Sequence, residues 1–235
     1  MTNYKLTSYQ LKWIAIITML IDHAGFVLFN DLHILRMIGR LAFPIFCFLL
    51  VEGLAHTSNL GKYFLRLFAF AFVSEVPFDY MFYPNNINNN VSVNIWAHQN
   101  IFFTLFIGLL VIAAIDYVNR RFPDKVIYTT LAEVAFTAAG CVVAIVLNTD
   151  YDALGILYIV FFYIYKNNKT LLIWYLALST IFYFEFQINT QILCLVSLIF
   201  INMYSGEKGK GMKYFFYAFY PLHIILLVFI RTYLM

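Results

Sequence analysis

Long apolar segments occupy most of this chain, and they limit its possible folds more than any other feature. Nine such segments follow one another with short polar connections between them. They run over 11–29, 41–54, 62–83, 101–116, 126–147, 153–165, 171–184, 190–204 and 214–234. A helix needs about 20 apolar residues to cross a bilayer. The pattern therefore predicts an all-α fold, a polytopic membrane helix bundle of about nine transmembrane helices.

The composition excludes several other classes of protein. Hydrophobic residues make up 63% of the 235 positions and charged residues 11%, whereas a soluble domain is about 45–50% apolar and about 25% charged. This excludes a soluble globule, a disordered region and a nucleic-acid-binding module. Because the connections are short, the longest being the Asn-rich stretch 84–90, we expect one integral-membrane domain over 1–235, surrounded by membrane lipids. Its three cysteines are far apart and make neither a metal spacing nor a disulfide framework, so no metal is expected.

The distribution of positive charge predicts the orientation. With the N-terminus in the cytoplasm, twelve of the fifteen Lys and Arg residues fall on the inner side, and only Arg36, Arg40 and Arg231 fall on the outer side. Cytoplasmic loops of membrane proteins carry such an excess. If one segment failed to cross, every later loop would change sides and the bias would disappear. An odd number of spans then places the C-terminus outside.

A small group of polar side chains falls at membrane depth or at the predicted outer rim. Ionisable groups inside a membrane are costly, face the bundle interior and are functional candidates by default. The candidates are Asp22 and His23 in the first span, Arg40 entering the second, Glu75 in the third, Asn100 at the start of the fourth, Asp150 and Asp152 after the fifth, and His223 in the ninth. Most of them are predicted to lie in the outer half of the membrane.

Several of these residues also have structural interpretations. His223 is open to the role of an interhelical hydrogen bonder, and Arg36 and Arg40 to that of interfacial anchors. Glu133 and Glu185 are interpreted as acids tolerated near helix ends or paired structurally. The sequence alone leaves these alternatives open.

The spacing of Lys12 and His23 predicts that they share a helix face. They are eleven residues apart, which at 100° per residue returns to within about 20° of the same direction and separates them by about 16 Å along the axis. One face of the first span would then present an ammonium at the inner rim and an imidazole beyond the midplane. The alternative is that Lys12 only follows the positive-inside rule.

Several motifs together resemble the TraX family. They are Met19–His23, Ile38–Phe48, Glu52–Gly53, His56–Thr57, Tyr63–Leu67, Ser74–Phe78, Asn100–Leu105 and Tyr220–His223. The resemblance covers nearly the whole chain and implies a multi-pass acetyltransferase of the bacterial cytoplasmic membrane that acetylates the N-terminus of pilin. It also implies kinship with membrane acyltransferases that modify surface sugars, in which a basic residue, ten intervening residues and a His mark the first helix. Lys12 and His23 fit that pattern.

The resemblance and the predicted topology suggest one mechanism. Acetyl-CoA, as the acyl donor, would place its phosphates against Lys12, Lys62 and Arg66 at the inner rim. His23 would act as a general base on an acceptor arriving from outside, or would carry the acetyl group itself. The acceptor stays open between a peptide amine and a hydroxyl of a cell-envelope glycan.

The remaining candidates would assist His23. Asp22 is expected to orient the imidazole or to pair with Arg40, and Arg40 or Asn100 to stabilise the oxyanion. A second set is expected to bind the acceptor: Glu75, Asn100, Asp150, Asp152 and His223.

Two other classes of function stay open. A secondary transporter with an intramembrane Asp/His/Arg relay would also collect such residues, although it usually shows internal repeats, and none is found here. A scaffold for envelope assembly would need no converging polar cluster.

Overall fold

The computed structural model describes residues 5–83, 98–183 and 190–234, and nearly all of them are helical. The predicted Asn-rich loop and Glu185 lie outside these ranges. The α-helices are α1 (Ser8–Val27), α2 (His33–Gly39), α3 (Ala42–His56), α4 (Leu60–Phe82), α5 (Ile101–Arg121), α6 (Val126–Val146), α7 (Asp152–Tyr165), α8 (Lys169–Tyr183), α9 (Ser197–Asn202) and α10 (Lys213–Tyr233). A 3₁₀ helix, Thr190–Val196, precedes α9. The all-α fold class is confirmed.

Five helical stretches of the described chain are long and apolar enough to cross a membrane. They are α1, the α2–α3 stretch His33–His56, α5, α6 and α10. In α6 many large apolar side chains face outward, such as Ile127, Leu131 and Val134. An outward apolar face of this kind suits contact with lipid. The chain is a helical membrane protein.

Two elements differ from the predicted spans. Residues His33–Gly39 form a helix, α2, where a connection was expected. Its apolar residues are too few for a span, yet they pack against α1 and so stabilise a short helix. The segment 190–204 was predicted as one span, but it forms a 3₁₀ helix followed by the short α9. Four of the seven residues of the 3₁₀ helix are Thr, Ile, Cys or Val, which favour α-helix less than Leu or Ala does.

The chain divides into two compact units. The first comprises Met1–Leu49, Val73–Val93 and Thr180–Met235. In it, α1 begins with a capping box in which Thr7 and Gln10 each bond to the other's backbone N–H. Helix α1 packs against both α2 and α10. A buried apolar cluster, with Leu11 and Ile45 fully enclosed, joins α1 to α3 and to the α9 region.

The second unit comprises Leu50–Phe72 and Asn94–Ser179. Helices α5, α6 and α7 pack against one another within it. Gly108 and Gly140 lie where α5 meets α7 and where α6 meets α5, and the absence of a side chain allows Ile159 and Val111 to approach their backbones. Small residues permit this kind of close helix packing in membranes. Asn100 caps α5 by accepting a hydrogen bond from the Phe102 N–H at 3.0 Å.

Candidate functional site

Two histidines from opposite ends of the chain lie in direct contact in the first unit. His23 of α1 and His223 of α10 are joined from Nδ1 to Nε2 at 2.7 Å. Their rings lie end to end in nearly one plane, with centroids 4.9 Å apart and planes 8° from parallel. Both side chains are buried, with 8% and 4% of their surface exposed. The packing of α1 against α10 therefore creates a buried imidazole pair.

The hydrogen bonds of this pair determine where its protons lie when both rings are neutral. His223 Nδ1 is 2.8 Å from the Phe219 carbonyl oxygen, which can only accept, so Nδ1 carries the proton. His223 Nε2 is then an acceptor, and the His23 Nδ1–H donates to it. This leaves the His23 Nε2 with a lone pair. No hydrogen bond from the described residues reaches that nitrogen, so it is available as a base or a nucleophile.

Aromatic rings enclose the pair. Phe82 of α4 and Tyr220 of α10 contact His23 edge-on, with centroids 6.2 and 6.1 Å away. Phe219 stacks on His223, with ring centroids 5.0 Å apart. An apolar enclosure keeps water away and strengthens electrostatic interactions inside it.

Asp22, the neighbour of His23, binds an arginine of α2. Arg36 Nη1 lies 2.7 Å from Asp22 Oδ2, and Arg40 Nη2 lies 3.9 Å from Oδ1. Arg36, which was interpreted as an interfacial anchor, is thus the closer partner. The i,i+4 spacing of Arg36 and Arg40 could have indicated that both arginines approach Asp22, because residues four apart lie on one helix face. Asp22 does not bond to His23; it fastens α2 to α1 beside it.

Gly39 makes this contact possible, since a Cβ at residue 39 would overlap the Asp22 side chain. Gly39→Ala is expected to lower the free energy of unfolding by about 1–3 kcal/mol, because Asp22 or α2 must shift. Gly61→Ala is the matched control. Its Cβ would have nothing closer than Asn59 Oδ1 at 3.6 Å, so the helix should gain up to about 1 kcal/mol. Thermal unfolding in detergent compares the two variants, and equal stability would show that the contact has no importance.

Lys12 lies on the same face of α1 as His23, as its spacing predicted. Its Nζ is 5.7 Å from the ring centroid of Phe216, and His23 contacts His223, so both reach α10. The start of α1 also adjoins the basic loop before α10, where the Tyr9 N–H donates to the Lys208 carbonyl at 3.1 Å. Lys12 and Lys208 therefore lie on neighbouring backbone segments at the N-terminal end of α1.

Helix α4 contributes buried polar groups to the same unit. Ser74, Glu75 and Asp79 are 0%, 7% and 4% exposed. Glu75 and Asp79 are one turn apart, and Phe82, which contacts His23, lies one turn beyond Asp79. At about 1.5 Å per residue, Glu75 is about 10 Å along the axis from Phe82. Asp79 was missed by the sequence reasoning, although its i,i+4 spacing from Glu75 was visible.

The remaining candidates belong to the second unit. The Asn100 amide group donates to the Ala71 carbonyl at 2.7 Å while its oxygen caps α5, so both ends of this side chain are engaged. The Thr104 hydroxyl donates to the Asp150 carbonyl, and Asp152 begins α7. Arg66 lies over the Tyr63 ring at 5.6 Å. Lys62 is exposed one turn before Arg66 on α4. Their predicted roles in substrate binding stay predictions.

The described residues bring together no group of three His, Cys, Asp or Glu side chains that would hold a metal ion. The histidine pair itself offers two imidazoles, of which one nitrogen, His23 Nε2, receives no hydrogen bond from the part of the chain that the structure describes. The chemistry that these residues offer is therefore proton transfer or acyl transfer at His23.

Comparison with known proteins finds one family and two relatives of similar sequence. Residues 7–231 match the family described as TraX protein. The chain is 30% identical over 241 aligned residues to the probable fimbrial assembly protein FimC, serogroup H1, of Dichelobacter nodosus, and the match covers 96% of each chain. A 44-residue stretch is 54% identical to the uncharacterized protein RP591 of Rickettsia prowazekii (strain Madrid E), covering 18% of each chain. No solved structure matches.

Proposed function

This chain belongs to the TraX family, and from that membership and its buried histidine pair we propose that it is a membrane acetyltransferase acting in pilin or fimbrial assembly. It would transfer an acetyl group from cytoplasmic acetyl-CoA to an amine on the outer side of the bacterial cytoplasmic membrane. The observation that carries the proposal is the His23 Nε2, which receives no hydrogen bond from the described residues and which His223 fixes as the basic nitrogen of its ring. A general base needs such a lone pair.

The chemistry assigned to the pair is general-base catalysis. As the acceptor nitrogen attacks the thioester carbon, His23 Nε2 takes a proton from it. The imidazolium that forms is stabilised by its Nδ1–H bond to His223, which the Phe219 carbonyl holds in the accepting form. The carbon–sulfur bond then breaks, and the CoA thiolate takes the proton from His23. The alternative route, in which His23 Nε2 accepts the acetyl group and passes it on, uses the same nitrogen.

The inner-rim lysines support a cytoplasmic donor site. Lys12 and the Lys208 segment meet at the start of α1, and Lys12 shares the helix face of His23. A long anionic donor would meet these lysines with its phosphates and reach along α1 with its thioester, a distance of about 16 Å.

Several contacts support an odd number of spans. Tyr9 and Trp13 meet Phe216 while His23 meets His223, so α1 and α10 run in the same direction. An odd number of spans gives the first and last helices the same direction. The ends of α4 and α10 also meet, where Arg231 donates to the Tyr80 and Met81 carbonyls, and both ends are predicted to be outside.

The acidic residues of α4 favour an amine as the acceptor. Glu75 and Asp79 are buried on the face that leads to Phe82 and His23. Buried carboxylates attract a cationic group, such as the ammonium of a peptide N-terminus, by charge as well as by hydrogen bonding. A neutral sugar hydroxyl gains the hydrogen bond alone. A pilin-like peptide is therefore proposed ahead of a glycan.

Reconstituted protein tests the proposal. Proteoliposomes supplied with acetyl-CoA on the N-terminal side and a pilin-like peptide on the other should release CoA, and mass spectrometry should find the peptide heavier by one acetyl group. A peptide with a blocked N-terminus should release none. Peptide or solute uptake that proceeds without acetyl-CoA, with no acetylated product, would instead establish a secondary transporter.

A further inference from the structure

A cavity in the second unit, away from the residues assigned above, is lined by charged side chains. It has a volume of about 230 Å³ and lies between α3, α5, α6 and α7. Its polar lining consists of Asp116, Asn119, Arg120, Glu133, Tyr163 and Lys166. All of them except Glu133, which is two turns inside α6, lie near the ends of helices that precede or follow basic connections, at 120–125 and 166–169. This is the depth at which lipid headgroups meet a membrane protein.

One half of this lining is internally satisfied. Arg120 Nε lies 2.7 Å from Asp116 Oδ2, and the Tyr163 hydroxyl donates to Asp116 Oδ1 at 3.0 Å. The Asp116 charge is therefore balanced within the protein, and this carboxylate needs no ligand.

The other half has unused bonding capacity. Glu133 receives a hydrogen bond from the Asn119 amide group at 2.9 Å, but no cation of the described residues pairs with it. The Asn119 Oδ1 is buried and lacks a hydrogen-bond donor in the described part of the chain. The structure gives Lys166, on the cavity rim, no anion among the residues it describes. A buried acceptor and an uncompensated carboxylate are each costly without a partner.

A ligand that satisfies these groups must carry both a donor cation and an anion. An ammonium would donate to Glu133 and to Asn119 Oδ1, while a phosphate would accept from Lys166. The remaining lining, contributed by α3, is apolar, and Ile164, which also lines the cavity, is partly exposed. Tyr165 and Tyr175 stack nearby with centroids 4.5 Å apart, and aromatic rings of this kind are enriched at the membrane interface.

We propose that this cavity binds the headgroup of an aminophospholipid, with the primary ammonium at Glu133 and Asn119 and the phosphate at Lys166. A primary ammonium has three N–H donors, whereas a choline headgroup has none, and a glycerol headgroup has no positive charge. The site should therefore discriminate phosphatidylethanolamine from phosphatidylcholine and from phosphatidylglycerol. The binding is independent of acetyl transfer.

Native mass spectrometry of the full-length protein in detergent tests this site with these three lipids. Phosphatidylethanolamine should bind about tenfold more tightly than either of the others, since charge-assisted hydrogen bonds are the strong ones. Equal binding of all three would overturn the proposal, and this comparison needs no variant. Water-soluble O-phosphoethanolamine that bound as tightly as the lipid would also overturn it, in favour of a soluble zwitterion.

Matched variants locate the site. Glu133→Gln should remove most of the preference for phosphatidylethanolamine over phosphatidylcholine, and Lys166→Gln should weaken all three lipids. Glu52→Gln is the control for the first, because Glu52 faces His56 on α3. Lys125→Gln is the control for the second, because Lys125 lies over Phe122. A preference that survives Glu133→Gln, or that Glu52→Gln removes equally, would contradict the assignment.

Discussion

His23→Ala is expected to lower the turnover of acetyl-CoA by about 10²–10⁴-fold, the range for loss of a general base. The substitution removes the Nε2 lone pair, and with it the acceptor's route for losing a proton. It also removes the ring that is hydrogen-bonded to His223, so folding must be checked by size-exclusion chromatography and thermal unfolding. CoA release by purified protein measures the effect. A folded His23→Ala protein with full turnover would show that the assignment of His23 is wrong.

Two further histidine variants separate a catalytic role from a structural one. His56→Ala is the matched control, because the His56 side chain is 66% exposed and bonds within its own helix. Its turnover should stay unchanged. His223 acts through His23, so His223→Gln, whose amide oxygen still accepts from the His23 Nδ1–H, should retain more activity than His223→Leu. The pH profile of turnover should shift in both, since the partner of the base has changed. If both variants keep the pH profile of the wild type, His223 has a packing role only.

Much of the fold was predictable because the membrane imposes a simple rule on sequence. Apolar runs become helices, since every backbone polar group must be bonded inside its own segment. The shared face of Lys12 and His23 was predictable for the same reason: helical periodicity fixes the direction of both side chains. The polar candidates were found because ionisable residues are rare in apolar runs.

What the sequence did not reveal depends on tertiary packing. His23 and His223 are 200 residues apart, and nothing local indicates that α1 and α10 are neighbours or that Phe219 fixes the tautomer. Helix α2 was missed because its stability comes from contact with α1, not from its own seven residues. The ion pair of Arg36 with Asp22 was not predicted for the same reason. It depends on the close approach of α2 to α1 at Gly39, which the sequence does not indicate.

The Asp22–Arg36 ion pair should contribute to stability mainly through the cost of breaking it. With 13% and 27% of these side chains exposed, Asp22→Leu should lower the free energy of unfolding by about 2–4 kcal/mol, because it removes the carboxylate beside both Arg36 and Arg40. Arg36→Met should cost less, because Arg40 remains near Asp22. The double variant Asp22→Leu/Arg36→Met should recover part of the loss of Asp22→Leu, since apolar residues then replace the Asp22–Arg36 pair, while Arg40 stays without its carboxylate. Denaturant titration in detergent measures the free energy of unfolding of the wild type, the two single variants and the double variant.

The exposed pair Glu52–His56 is the control cycle, and its coupling should stay below about 1 kcal/mol. If the coupling of Asp22 with Arg36 is equally small, the ion pair does not hold α2 against α1. Activity adds a second reading of the same proteins. If the double variant regains stability but not turnover, the charges beside His23 are retained for catalysis, because packing alone would have been satisfied by leucine and methionine. If both return together, Asp22 and Arg36 serve to position α2, and His23 needs only His223.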